Sequence, residues 1–443
     1  MATRRVFVKK ASLGAASIVF SAKSYSRIVG ANDRVRVGII GYSDRFKGSL
    51  SPSFLSLSKE MNFEFTVISD IWRLRREEAD RFYKSMGINL RLARNNDELY
   101  EKNDTDAVII STADFQHALH CAEAVGAGRD AYVEKPFAET MADNRTALKA
   151  VQNSGKIVQI GSQRRSAPNY IAANEYIKSG KFGKIVMVEM TWNVNQPGRW
   201  RRPNVVPTLK EADTDWKRYL MNRPLTAFDP RRYLEFRLFW PYSSGIPGQW
   251  MAHQIDTVHW FTGLGHPRSV AANGGIYLWK DGRTNFDTMT AVFDYGNNAD
   301  PNSGFQVVYS SRFTNSAGGV KELYFSNGGM LNLDTNRITS EGGLEESDAS
   351  AMNMKPNLLK TFELPSVSIE TAADTGGDTM TIAHMKNWME CVRSRKKPNA
   401  DVTAGYNHSI ANIMCTASLR TGEKATFDEK NQEVLAGGKI FQY

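Results

Sequence analysis

Val35-Arg36-Val37-Gly38-Ile39-Ile40-Gly41-Tyr42-Ser43-Asp44-Arg45-Phe46 is the stretch on which the fold of the first third of the chain turns. A β-branched run ends in a glycine turn, and a second such run, Phe63–Ser69, ends in Asp70. A parallel α/β sheet with this pattern holds a dinucleotide: the pyrophosphate lies against the bare backbone of the turn, and the acid closing the second strand accepts from a ribose hydroxyl. Gly38, Gly41, Tyr42, Ser43 and Asp70 are therefore the first candidate cofactor residues. Of a G-x-G-x-x-G signature Gly41 alone remains, because Ser43 and Phe46 stand where the later glycines would be, and Phe46 is expected to crowd the usual path. Ser51-Pro52 reads as a helix cap followed by a first-turn proline, which predicts a late helix start and a long loop before it. Asp70 favours NAD. Arg73, Arg75 and Arg76 could take a 2′-phosphate, so NADP stays open, although such a run also reads as a solvated helix face.

Working outward, further short strands at 107–111, 131–134 and 157–160 alternate with helical segments at 74–86 and 115–125. From residue 186 the texture changes to longer alternating strands, at 186–194, 270–278, 289–295, 306–313 and 322–325, with helices at 382–392 and 408–419. The expected architecture is an α/β Rossmann domain with a parallel sheet, followed by an α+β domain with a large, mostly antiparallel open sheet. The boundaries are placed at 1–33 for a leader, 34–160 for the NAD(P)-binding domain and 161–443 for substrate binding and oligomerisation.

The leader carries a Thr3-Arg4-Arg5-Val6-Phe7-Val8-Lys9 run, then a short apolar stretch at 11–20. That pattern resembles a twin-arginine export signal, so a periplasmic or otherwise exported protein with no stable membrane insertion after processing is expected. Six basic residues precede the first acid, Asp33, and removing them takes the net charge from +9 to about +3, which argues against nucleic acid as a partner. Cys121, Cys391 and Cys415 are odd in number and show no C-x-x-C spacing, so neither a disulfide framework nor a metal site is expected.

Further along lie Asp106-Ala107-Val108-Ile109-Ile110-Ser111-Thr112-Ala113-Asp114-Phe115-Gln116-His117, then Tyr132-Val133-Glu134-Lys135-Pro136 and Gly161-Ser162-Gln163-Arg164-Arg165. Together with Gly245-Ile246-Pro247-Gly248-Gln249-Trp250-Met251-Ala252-His253-Gln254-Ile255-Asp256, these resemble the glucose–fructose oxidoreductase/inositol dehydrogenase (Gfo/Idh/MocA) family. The resemblance implies a sugar oxidoreductase working as a homo-oligomer, dimer or tetramer. It adds Ser111, Thr112, His117, Glu134, Lys135 and Gln163 to the cofactor residues, and it puts Lys135 beside nicotinamide and substrate, with His253 as the catalytic histidine. A buried lysine can stabilise a developing alkoxide. Helical spacing makes Asp256 a neighbour of His253, suited to fixing its tautomer. The family commonly has an acid four residues before the histidine. Here that position is Gln249, which can hydrogen-bond but carries no charge or proton.

On the substrate side, Asn195, Arg199 and Trp200 in the segment 195–203 offer a stacking ring and forked donors suited to a carbohydrate, and Arg164, Gln249 and His253 complete the candidate set. The expected activity is hydride transfer at a secondary hydroxyl of a sugar or sugar derivative, with the dinucleotide held tightly. Two alternatives stand beside it: an NAD-dependent glycosidase acting by transient oxidation and elimination, and a catalytically impaired carbohydrate-binding relative.

Overall fold

The computed structural model describes residues 33–297, 299–300, 302–365 and 379–442; the leader, and with it the twin-arginine run, lies outside them. Six parallel strands, β1 (Val35–Ile40), β2 (Phe63–Ser69), β3 (Arg91–Ala93), β4 (Ala107–Ile110), β5 (Asp130–Val133) and β6 (Val158–Ile160), form one sheet in the order 3-2-1-4-5-6. The order reverses between β1 and β4, and the crevice outside their carboxyl ends is where such sheets take ligands. The strand faces are buried on both sides, which is why they read as continuous apolar runs.

The second sheet has eleven strands: β7 (Ile185–Asn193), β8 (Ser269–Gly275), β9 (Thr288–Tyr295), β10 (Phe305–Arg312), β11 (Val320–Ser326), β12 (Gly329–Asn332), β13 (Arg337–Thr339), β14 (Phe362–Glu363), β15 (Ala425–Asp428), β16 (Glu433–Ala436) and β17 (Lys439–Ile440). All its pairs are antiparallel except β7 with β10. In β9, β10 and β11 buried and partly exposed residues alternate, as a sheet with one packed face requires.

Two helices expected near the C-terminus bind the halves together. The Thr379–Ser394 helix inserts Met385, Trp388 and Met389 into the core of the first sheet, against Phe63 and Tyr132. The Val402–Thr421 helix is almost wholly buried; His408 Nε2 accepts from the Phe137 amide (3.3 Å) and Ser409 Oγ from the Ala138 amide (3.1 Å), pinning the segment after Lys135.

The late helix start is not what forms. The helix after β1 begins at Asp44 with Ser43 as its cap, Oγ accepting from the Phe46 amide at 3.2 Å. A π-helical turn at Phe46–Leu50 then leads into Ser51–Met61, and the Ser51 amide reaches back to the Phe46 carbonyl. That widened turn seats Pro52 inside a continuous helix, where a regular ladder would clash with its ring. Phe46 does not crowd the turn either: it is fully buried in the core, its ring 5.8 Å from that of Phe65.

Candidate active site

At the switch point Gly41 adopts φ +86°, and a Cβ there would lie 2.8 Å from Thr112 Cγ2 and 3.2 Å from the Ser111 carbonyl oxygen. The bare backbone is thus required both for the turn and for close approach. The turn is fastened to Asp70, whose carboxylate accepts from the Tyr42 amide (2.8 Å) through one oxygen and the Trp72 amide (2.8 Å) through the other. A cleft of about 560 Å³ opens here, lined by Gly41, Tyr42, Ser43, Asp70, Ser111 and Thr112, and covered from the other side by residues of the segment 202–237. Ion pairs tie that segment to helices flanking the first sheet: Arg202–Asp44 (2.8 Å), Arg73–Asp213 (2.8 Å) and Arg218–Asp97 (2.7 Å). Against the effect of burial, Arg75, Arg202 and Lys47 hold the Asp44 carboxyl down to about 2.

A second chamber of about 270 Å³ shares Ser43, Arg45, Thr112, Arg202 and Arg237 with the first. Its walls bring together His117, Glu134 and Lys135 from the first sheet with Arg199, Trp200, Gln249, Trp250 and His253 from the second half. Lys135 Nζ donates to the Gln249 carbonyl oxygen at 2.5 Å. His253 stacks on Trp192 (centroids 5.9 Å, 26°), and Trp192 in turn stacks on Trp250 (5.7 Å, 10°). Burial, then the Lys135 and Arg164 cations, hold the His253 imidazole well below the usual histidine range, so it is neutral at physiological pH. His117 sits between the Pro136 (2.8 Å) and Thr112 (3.2 Å) carbonyls and joins the two strand ends.

Asp256 does not orient His253. Its carboxylate is gripped by the Arg165 guanidinium (2.8 and 3.0 Å), with His408 Nδ1 at 3.8 Å, and no carboxylate among the described residues hydrogen-bonds the His253 ring. Helical spacing made the two neighbours on one face, but the buried cation of Arg165 captured the acid. Four other candidates also stand away from the chamber linings. Gly38 lies inside β1, where a Cβ would meet Leu99, Thr105 and Val108 at 3.2–3.3 Å. Gln163 lies between Gly161 and Arg45, beneath Glu134. Arg164 is buried, paired with Glu322 and laid over Tyr170 and Trp192, so it supports the aromatic floor rather than a ligand. Asn195 is exposed, with its backbone bridged to Thr314.

Sequence reasoning passed over Asp44 and Arg45. Arg45 pairs with Glu134 (3.1 Å) across the junction of the chambers. Its place in the first turn of the helix after β1, facing the ligand end of the sheet, was the available signal.

The parallel sheet, glycine turn and terminal acid define a dinucleotide-binding α/β protein. Residues 35–162 match the NAD-binding Rossmann-fold model of the Gfo/Idh/MocA oxidoreductase family. Inositol 2-dehydrogenase of Salmonella paratyphi B is 29% identical over 140 residues, 30% of this chain and 42% of that protein. The scyllo-inositol 2-dehydrogenase (NAD(+)) of Bacillus subtilis is 34% identical over 87 residues, 20% of this chain and 25% of that protein. The chain thus spans less than half the length of these curated relatives. Over the whole fold, a levoglucosan dehydrogenase in complex with NADH and levoglucosan superposes with TM-score 0.63 at 15% identity, covering 89% of this chain and 99% of that one. The WlbA dehydrogenase of Bordetella pertussis, in complex with NADH and UDP-GlcNAcA, gives 0.63 at 16% identity over the same shares. The cleft fits NAD: the constrained Gly41 turn, the capped helix start at Ser43 and Asp70 are the groups its pyrophosphate and ribose need.

Proposed function

We propose that the chain is an NAD(P)-dependent oxidoreductase that moves a hydride to or from a secondary hydroxyl of a sugar or sugar derivative. The observation that carries this reading is the convergence of Lys135, just past the carboxyl end of β5, and His253, on a helix of the second half, in one chamber continuous with the dinucleotide cleft. When bound, the nicotinamide ring supplies the two-electron acceptor or donor. The neutral His253 imidazole takes the hydroxyl proton on a ring nitrogen, and the Lys135 ammonium stabilises the alkoxide that forms. Trp192 and Trp250 keep the imidazole in a water-poor aromatic setting.

The ion pairs around the segment 202–237 support tight retention of the dinucleotide. Retention suits the export read from Arg4 and Arg5, because outside the cytoplasm no free pool recharges the enzyme. Changing both arginines to lysine should leave precursor in the cytoplasm, whereas unaltered secretion would dismiss the export reading. The decisive experiment for the activity is to denature the purified protein, identify the released dinucleotide, and assay NAD reduction across sugars and polyols. Absence of any bound or bindable dinucleotide sinks the reading. Sugar release with no net oxidation assigns the same residues to the glycosidase.

A further inference from the structure

Five cations face the second chamber, and they are not alike in how their charge is answered. Arg45 is paired with Glu134 and Arg202 with Asp44. Lys135 donates to the Gln249 carbonyl oxygen; Arg199 gives Nη1 to Gln196 Oε1 at 3.0 Å and lies over the Trp250 ring. Arg237 differs. Its Nε donates to Gln249 Oε1 at 2.8 Å and its guanidinium lies 4.5 Å from the Phe236 ring centroid, but its side chain makes no ion pair and no other hydrogen bond among the described residues. The guanidinium plane is fixed while both terminal nitrogens are left for something else.

Gln249 explains how that state is kept. Its Nε2 donates to Asp114 Oδ2 at 2.5 Å, an oxygen that also accepts from Ser243 Oγ at 2.5 Å, so the amide oxygen is turned towards Arg237. A carboxylate at 249 would repel Asp114 and close an ion pair with Arg237, cancelling its charge. The amide oxygen orients the fork without closing an ion pair, so Asp114 acts on the guanidinium only through space.

We propose that the substrate is an anionic sugar whose carboxylate is taken by the Arg237 fork, with Gln249 as the positioning residue that keeps this arginine aimed and charged. The proposal rests on the oxidoreductase reading of the same chamber. A sugar phosphate or the dinucleotide pyrophosphate offers similar oxygens, since Arg237 also borders the cleft, and the test separates these sources.

Calorimetry on the dinucleotide-loaded protein would compare D-glucuronate, D-galacturonate and D-mannuronate with their parent hexoses and with the hexose 6-phosphates. At least one uronate should bind roughly tenfold or more tighter than its hexose, the size expected for a hydrogen-bonded charge pair. Arg237→Met should erase the preference and Arg237→Lys retain part of it, both keeping their dinucleotide. Gln249→Glu should also erase it, by pairing with Arg237. The proposal is overturned if no uronate exceeds its hexose, if the phosphates outrank the uronates, or if Arg237→Met sheds dinucleotide while the wild-type uronate preference persists. Should Arg237→Met fail to fold, the wild-type ratio and the Lys variant still decide. NAD reduction is read separately, so the two failures are distinguishable: a uronate preference without reduction removes the oxidoreductase reading and leaves Arg237 only as an anion-binding residue, whereas reduction of neutral sugars alone keeps that reading and overturns this proposal.

Discussion

The floor of the dinucleotide cleft is main chain, the Gly41 turn fastened to Asp70 through the Tyr42 and Trp72 amides, whereas the chamber beside it is walled by long side chains that hold one another. In the cleft the decisive contacts are a glycine at φ +86° and two amides on Asp70. In the chamber they are Lys135 on Gln249, Gln249 on Arg237 and Asp114, and Arg45 on Glu134. A wall made of backbone recognises what every dinucleotide has in common; a wall made of side chains can be re-cut for one substrate. The two regions should therefore fail separately.

The sharpest break is at the working pair. Lys135→Met and His253→Ala should each lower turnover by roughly 10²- to 10⁴-fold while dinucleotide content stays at the wild-type level. If either variant is isolated without its dinucleotide, the chambers are not independent. The pH profile sharpens the point. Because His253 is held below the ordinary histidine range, the neutral form persists as pH falls through that range, and the acid limb of kcat/KM should lie below it. An acid limb at the ordinary histidine value would show that another group takes the proton.

Asp256→Asn tests the reassignment of that acid. The Arg165–Asp256 pair is almost wholly buried, with side-chain exposures of 12% and 2%. Removing the acid strands the cation, at a cost of about 3–5 kcal/mol. The loss should appear as a lower denaturation midpoint, with the acid limb of the rate profile unmoved; a displaced limb would restore Asp256 as the partner of His253. Three residues further on, His259 donates to or accepts from the Tyr295 hydroxyl at 2.8 Å, and burial lowers it to about 3. Its folded value lies below the unfolded one, so the unfolded chain binds the proton first. The stability it contributes is present above about 6.5 and is lost as pH falls towards 3. His259→Phe should flatten that acid loss and leave the rate profile alone.

How much of this was legible follows the same division. The strand and turn at Val35–Ile40 and Gly41 could be read because strand, glycine and terminal acid are local, and Lys135 because its flanking residues travel with it. The start of the following helix was misread since Pro52 looks like a first-turn proline, and nothing in the sequence announces a π turn that can seat it. The short strands β3, β13, β14 and β17 have two or three residues each, too few for alternation to register. Asp256 was misassigned because spacing within a helix is visible while a partner 91 residues earlier, Arg165, is not. Arg202 and Asp44 meet across 158 residues. Side-chain walls are long-range facts, so the chamber was the poorer prediction.

Gly41→Ala tests the backbone wall. The added methyl would press on Thr112 in a conformation that L side chains rarely adopt, a strain of about 1–3 kcal/mol. Dinucleotide affinity should fall by a comparable amount, read by equilibrium dialysis of the refolded apoprotein, while the chamber's aromatic stack keeps its near-ultraviolet signature. Loss of that signature would mean the turn supports both chambers.

The smallest effect belongs to the strap. Arg202 and Asp44 carry side-chain exposures of 36% and 48%, so solvent screens their attraction, and such a pair is worth about 0.2–1 kcal/mol. Arg202→Ala should therefore speed dinucleotide release by no more than about fivefold, because the Arg73–Asp213 and Arg218–Asp97 pairs still hold the same segment. Salt decides whether the change is electrostatic. If the pair is a latch, raising ionic strength should speed release from the wild type towards the Arg202→Ala rate and change the variant less. If release from the wild type is indifferent to salt and to Arg202→Ala alike, the segment is held by packing, through Tyr233 edge-on to Trp72 (ring centroids 6.3 Å) and Tyr219 edge-on to Phe115 (5.4 Å), and the ion pairs around it retain nothing.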